Sequence, residues 1–312
     1  MPKLTLEQEE NICQEYLNTN ITQQELANKY GYSKAPSINK ILKKHGIRRE
    51  YIHSNTKLNN IIKCNENYFE TIDTSAKAYY LGFIIADGHI KKDESSLSIE
   101  LSIVDEQFLL DFIKALDSEH TLYYRTKKLK STGKTYQECT LKITRPKLCA
   151  DLIKHGVGNN KSYELSISKT IPGEFMNSMI RGFIDGDGHW SIDKNNSMSF
   201  GFVGPVLSFI EEVKNILISN CNINNTPIRK SVGCYKIKWG GNLQCKRIYD
   251  YLYSDNGPFL KRKFEKSTCH FKNYFDNLSH DSKMKIETKY KSIKTNPNIR
   301  PELDKILGLN SK

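Results

Sequence analysis

The stretch GFIDGDGHWSI, residues 182–192, sets two aspartates, each followed by glycine, directly after a short apolar run. Residues 82–90, offset by 100 positions, read GFIIADGHI, nearly the same string without the first aspartate. The flanks agree too. After the first copy come SSLSIELSIV, DEQFLLDFIKAL, a hairpin pattern from 121 to 144, PKLCADLIKHG and NKSYEL. After the second come SMSFGFV, VLSFIEEVKNIL, a hairpin pattern from 226 to 239, LQCKRIYDYLY and NGPFLKRK. Each half reads helix, strand pair, helix, strand pair, helix. An internal αββαββα repeat of about 100 residues predicts an α+β fold whose halves are related by a pseudo-two-fold axis.

Within each copy the small residues recur at helical spacing. Gly82 and Ala86 lie four apart, as do Gly182 and Gly186, so each motif helix carries one smooth face on which a partner backbone can approach closely. Gly88 and Gly188 stand where a left-handed residue commonly ends a helix. Asp87 and Asp187 are thereby expected at the C-terminal ends of two helices that pack on each other. A helix C-terminus carries partial negative charge and disfavours a carboxylate, and two such ends meeting compound the conflict. A divalent cation removes it. The two carboxylates, with the exposed carbonyls of Ala86 and Gly186, make a hard oxygen site suited to Mg²⁺, or Mn²⁺, and metals there suggest phosphodiester hydrolysis. A calcium loop is excluded, because Trp190 and Asn196 occupy the positions where an EF-hand needs its glycine and its bidentate glutamate.

YLGFIIADG and IRGFIDGDG resemble the paired motifs of the LAGLIDADG homing endonucleases, in the form where one chain carries both copies. The resemblance covers roughly residues 71–275. It implies a saddle-shaped α+β domain, acting as a monomer, in which the motif helices form the central interface and each half presents a curved antiparallel sheet to the DNA major groove. It assigns Asp87 and Asp187 as the catalytic metal-binding acids. Asp185 matches the motif's sixth position and Ile85 departs from it; that position is not the essential acid. By the same resemblance Lys142 and Lys238, near the ends of their hairpins, are basic residues close to the scissile phosphates. The unequal repeats imply an asymmetric target. A non-cleaving DNA-binding regulator and an RNA maturase acting on intron RNA remain open as alternatives.

The hairpins alternate as half-buried strands do: Cys139, Leu141 and Ile143 against Glu138, Thr140, Lys142 and Thr144, and Tyr235, Ile237 and Trp239 against Lys236 and Lys238. With Arg125, Lys127, Lys128, Lys134, Arg229 and Lys230 nearby, one face of each sheet offers cations to base edges and phosphates.

Residues 1–52 predict a small all-α module. Thr22 is placed to cap a helix over QQELANK, Gly31 to stop it, and SKAPSINKILKKHG to form a second, basic helix. A first helix is expected to bury Leu6, Ile12, Tyr16 and Leu17. The pair is similar to the helix-turn-helix of resolvase-type proteins, with Ser37, Asn39, Lys40 and Lys43 as DNA contacts. Residues 53–70 read as a linker, 71–172 and 173–278 as the repeats, and 279–312 as a basic tail. A net charge of +12 favours a polyanionic partner, double-stranded DNA above all. No apolar run reaches membrane-spanning length and no signal core opens the chain, so an intracellular location with the DNA is expected. The eight cysteines show no CxxC pair and are expected to be reduced packing thiols. Neither end carries splice-junction residues, which argues against an intein.

Overall fold

A computed structural model describes residues 4–19, 21–33, 35–47, 62–128, 133, 135–158 and 165–291, with side chains to 286. The chain divides into two compact units, Met1–Leu58 and Asn59–Lys312.

In the first unit, helices α1 (Leu6–Asn18), α2 (Gln23–Lys29) and α3 (Ala35–Lys44) enclose a core of Ile12, Cys13, Tyr16, Leu26, Ala27, Ile38, Ile41 and Leu42. Thr5 and Thr22 each close a capping box, with Gln8 and Glu25, which satisfies backbone donors that water would otherwise hold. Gly31, at φ +76°, turns the chain after α2. Leu6 and Leu17, expected inside, are exposed, and Cys13 takes the inward position on α1.

The second unit contains the two repeats. The first runs α4 (Ser75–Asp87), β1 (Gly88–Ile90), β2 (Leu97–Ser102), α5 (Glu106–Ala115), β3 (Tyr123–Lys128), β4 (Thr135–Ile143) and α6 (Pro146–Lys154). The second runs α7 (Met176–Asp187), β5 (Gly188–Ile192), β6 (Met198–Gly204), α8 (Leu207–Cys221), β7 (Arg229–Ser231), β8 (Cys234–Gly240) and α9 (Asn242–Leu252). Two further helices follow, α10 (Lys261–Asp276) and α11 (His280–Lys291). Each repeat builds a four-stranded antiparallel sheet, ordered β1-β2-β4-β3 and β5-β6-β8-β7. The inner faces bury Ile99, Leu101, Cys139 and Leu141 in one half and Phe200, Phe202, Ile237 and Trp239 in the other. Aromatic pairs tie each motif helix to the next helix of its repeat: Phe83 meets Phe108 of α5 with ring centroids 3.9 Å apart, and Phe183 meets Phe209 of α8 at 4.9 Å.

The motif helices meet along their small residues. A Cβ on Gly82 would lie 1.9 Å from the carbonyl oxygen of Met179, and one on Gly182 would lie 1.9 Å from that of Tyr79. The two contacts interchange under the 100-residue offset, as an isologous interface requires.

Two expectations are corrected. The described part of the expected linker belongs to the folded second unit: Tyr68 and Phe69 are buried in the core, and the Phe69 carbonyl lies 2.7 Å from His155 Nε2, while residues 53–61 lie outside the described residues. The tail begins as helix α11, whose Ile286 packs against the core; the tail beyond 291 lies outside the described residues. Among the described residues no helix is long and apolar enough to cross a membrane, and all eight cysteines are free.

Gly82→Ala or Gly182→Ala is expected to cost about 3 kcal/mol or more, since the clash is with backbone that cannot rotate away. Urea unfolding measures this. Gly240→Ala, where a Cβ meets nothing within 4 Å, is expected to stay within about 0.5 kcal/mol of the parent.

Candidate functional site

Each motif helix ends on its aspartate, and the chain passes through one glycine straight into a strand. Gly88 has φ −74° and Gly188 φ −98°, both extended rather than left-handed. Their need for glycine is steric instead. A Cβ would fall 2.7 Å from the Ile84 carbonyl oxygen at 88 and 2.6 Å from that of Ile184 at 188. The strand thus leaves tight against the last helical turn and aims each aspartate at the helix crossing. Asp87 is exposed there and Asp187 half-buried. A Cβ on Gly186 would sit 2.3 Å from that of Ala86 and 3.1 Å from Asp87 Oδ2, so the Asp87 carboxylate reaches over the end of the opposite helix.

A cation already lies at this crossing. Lys263, on α10, is buried, and its Nζ donates to the carbonyl oxygens of Ile184 (2.9 Å), Asp185 (2.7 Å), Gly186 (3.2 Å) and Gly188 (2.6 Å). Three carbonyls from the last turn of α7 and that of Gly188, the first residue of β5, are thereby met by one ammonium. Burial pulls the Lys263 pKa down to about 8, opposed by Asp185, Asp87 and Asp187, so the side chain stays charged at neutral pH. The Gly186 carbonyl, expected as a metal ligand, is one of its acceptors. Sequence reading passed over Lys263, although one signal was present. It recurs with Ser267, His270 and Phe271 at helical spacing on the buried stripe of α10, and a lysine on such a stripe needs acceptors.

Asp185 is fully buried. Its Oδ2 accepts from Tyr79 Oη (2.9 Å) and from the Leu260 backbone N–H (2.7 Å), and burial raises its pKa to about 6. Arg181, also buried, bonds the Pro258 carbonyl (2.9 Å) and pairs with Asp255 (2.7 Å). Both side chains bolt residues 255–263 onto α7 and so fix where Lys263 stands.

Lys142 and Lys238 lie exposed on the outward sheet faces in matching transverse rows. Lys142 pairs with Ser98 and Ser98 with His89; Lys238 pairs with Gly201 and Gly201 with His189. The histidine directly after each DG therefore heads the row that ends in the lysine, a link the sequence did not disclose. A Cβ on Gly201 would lie 2.8 Å from His189 Cε1. Burial, then Lys238, lowers the His189 pKa.

Arg125 and Lys127 occupy the outward face of β3, and Arg229 and Lys236 the outward face of β7 and β8. Lys128 and Lys230 alternate to the opposite side of their strands, so they do not share the face expected of them. Lys134 lies outside the described residues. His189, Arg229, Lys236 and Lys238 line a cleft of about 530 Å³ on the second sheet. In the first unit Asn39, Lys40 and Lys43 are exposed on α3 and Ser37 is half-buried, while Lys44 and His45 are held by Glu9 at 2.7 Å.

No family model matches the chain. An uncharacterized protein of Methanocaldococcus jannaschii is 25% identical over 213 residues, spanning 64% of this chain and 70% of that one. Among solved structures, the homing endonuclease I-WcaI bound to its DNA recognition sequence is similar over 64% of this chain and 91% of its own, at 15% identity and a TM-score of 0.44. The N-terminal LAGLIDADG domain of DUF199/WhiA is similar over 61% and 89%, at 13% identity and a TM-score of 0.41. The LAGLIDADG meganuclease I-AabMI bound to uncleaved DNA is similar over 74% and 98%, at 14% identity and a TM-score of 0.39.

Lys263→Met is expected to destabilise the fold by about 1–3 kcal/mol, because it strips buried carbonyls of their donor. Lys142→Ala and Lys238→Ala, on exposed strand positions, are expected to stay within about 0.5 kcal/mol of the parent. Denaturant unfolding at pH 7 compares them.

Proposed function

We propose that the chain is a site-specific double-strand DNA endonuclease that cuts one strand per repeat at a long, asymmetric site, with a divalent metal at the helix crossing. One observation carries the reading. Two aspartates related by the internal repeat end two helices in backbone contact, and the buried Lys263 ammonium, bonded to the carbonyls that close one of those helices, stands beside them. An ordinary helix-ending turn gives no reason to bring like charges together twice.

Among the described residues no three His, Cys, Asp or Glu side chains cluster as metal ligands. The reading instead rests on the Asp87 and Asp187 carboxylates, hard oxygen donors of the kind Mg²⁺ or Mn²⁺ takes. A metal held there supplies an activated water and charge stabilisation at the leaving oxygen. The chain's own residues do the rest. The aspartates hold negative charge at the crossing. Lys263 keeps a fixed positive charge within reach of both, where phosphate charge would develop. The outward rows ending in Lys142 and Lys238 carry cations along the sheet faces flanking the acids. In the first unit, Lys40, Lys43 and Asn39 on α3 would lengthen the footprint by backbone and base contacts.

A second reading has one observation in its favour. Lys263 already neutralises the end of α7, so the fold can tolerate its acids without any metal, as a DNA-binding regulator that does not cut would.

A pool of randomised duplexes incubated with the protein, in Mg²⁺ and then in EDTA, separates the two. The endonuclease reading expects metal-dependent cleavage of a recoverable subset. Asp187→Asn should abolish cutting, a fall of at least about 10³-fold, while duplex binding is retained. Tight sequence-selective binding with no cleavage in Mg²⁺ or Mn²⁺ would overturn it in favour of the regulator.

A further inference from the structure

The repeats share a backbone but not a charge pattern, and the ladders allow the two outward faces to be matched position by position. His89 and His189, then Lys142 and Lys238, occupy equivalent rows. One step further along the strands the equivalence breaks. The row Glu100–Thr140–Tyr123 in the first sheet corresponds to Val203–Lys236–Arg229 in the second. The next position holds Glu138 in the first sheet and Cys234 in the second.

The consequence is electrostatic. In the first sheet Arg125 lies 2.8 Å from Glu100, and Lys127 lies 2.6 Å from both Glu100 and Glu138. The Lys127 ammonium lowers the Glu100 pKa, so this carboxylate is ionised at neutral pH. Counting Arg125, Lys127 and Lys142 against Glu100 and Glu138, the first face carries 3 − 2 = +1. The second face carries Arg229, Lys236 and Lys238, +3, and among the described residues no carboxylate pairs with them. Cations already held by carboxylates release few counterions when a polyanion arrives, whereas unpaired ones release about one each. A carboxylate on a strand in the major groove has one direct partner among base edges, the cytosine N4 amino group.

We propose, resting on the DNA reading above, that the two halves of a bound duplex are held by different physics. The second repeat supplies the salt-dependent hold through Arg229, Lys236 and Lys238. The first repeat engages as a charge-balanced face whose Glu100 accepts from a cytosine amino group. The repeat that grips and the repeat that reads are thus distinct, and the first half-site tolerates salt that loosens the second.

The test measures duplex binding by the full chain in Ca²⁺, with and without substitutions, as a function of KCl. The probe is a randomised duplex pool and then the duplexes recovered from it. Arg229→Ala with Lys236→Ala should lower the slope of log affinity against log salt by about 2, and Arg125→Ala with Lys127→Ala by less than about 1. Glu100→Gln has the opposite sign: it removes one of the two carboxylates that hold Arg125 and Lys127, leaving them Glu138 alone, steepens the slope by about 1, and weakens a cytosine preference confined to one part of the recovered site. Equal slope losses from the two double variants, or an unchanged slope and unchanged sequence preference in Glu100→Gln, would overturn the inference while leaving DNA binding intact. A parent protein that binds no duplex at all would overturn both it and the DNA reading.

Discussion

The backbone contact between the two motif helices governs the rest of the molecule. A helix carrying ordinary side chains keeps its neighbour 8–10 Å away, axis to axis. Here a methyl group at Gly82 or Gly182 would overlap the opposing carbonyl, so the pair packs as closely as polypeptide allows. Everything attached to those helices inherits the spacing. The strands leave within one residue of the crossing, and the sheets take their place from β1 and β5. A small increase in helix separation would move the aspartates apart and the sheets with them.

That closeness creates an electrostatic difficulty, because two helix C-termini and two carboxylates converge on one spot. On the α7 side the fold resolves it with a buried lysine rather than leaving the task wholly to a bound ion. Lys263 in turn is held by the segment before it, through Leu260 to Asp185 and Asp255 to Arg181. The acid that seemed spare in the motif is therefore structural in a specific sense: it fixes the cation that makes its neighbour tolerable. In the first copy the same position is Ile85, an apolar side chain buried in the core, which offers no carboxylate to hold such a segment.

Much of this was legible in the sequence because it is periodic. Glycines four apart, a motif repeated at constant offset and alternating strands are local patterns, and the fold, the helix crossing and the position of Asp87 and Asp187 follow from them. What escaped was set by distance in the chain. Lys263 acts on carbonyls 75–79 residues away, and Glu100 neutralises Arg125 only because β2 and β3 both flank β4. A strand's charge can be counted from sequence, but whether it is available depends on which strand lies alongside. The glycine after each aspartate was correctly seen as necessary for a different reason from the true one: the left-handed turn and the steric pass leave the same mark on a sequence.

Residues 255–263 bind both halves at once. Leu260 shares the Asp185 carboxylate with Tyr79 of the first repeat, and Arg262 reaches Asp105, also in the first repeat, at 2.9 Å. On the ribosome these residues emerge after both repeats. The first repeat can gather its own core early, yet the joint between the halves gains its last polar fastenings only when the chain has been made past residue 263. A nascent protein therefore gathers its first core before it has its Lys263 in place, and the order of synthesis withholds that ammonium from the helix crossing until the chain has been made past residue 263.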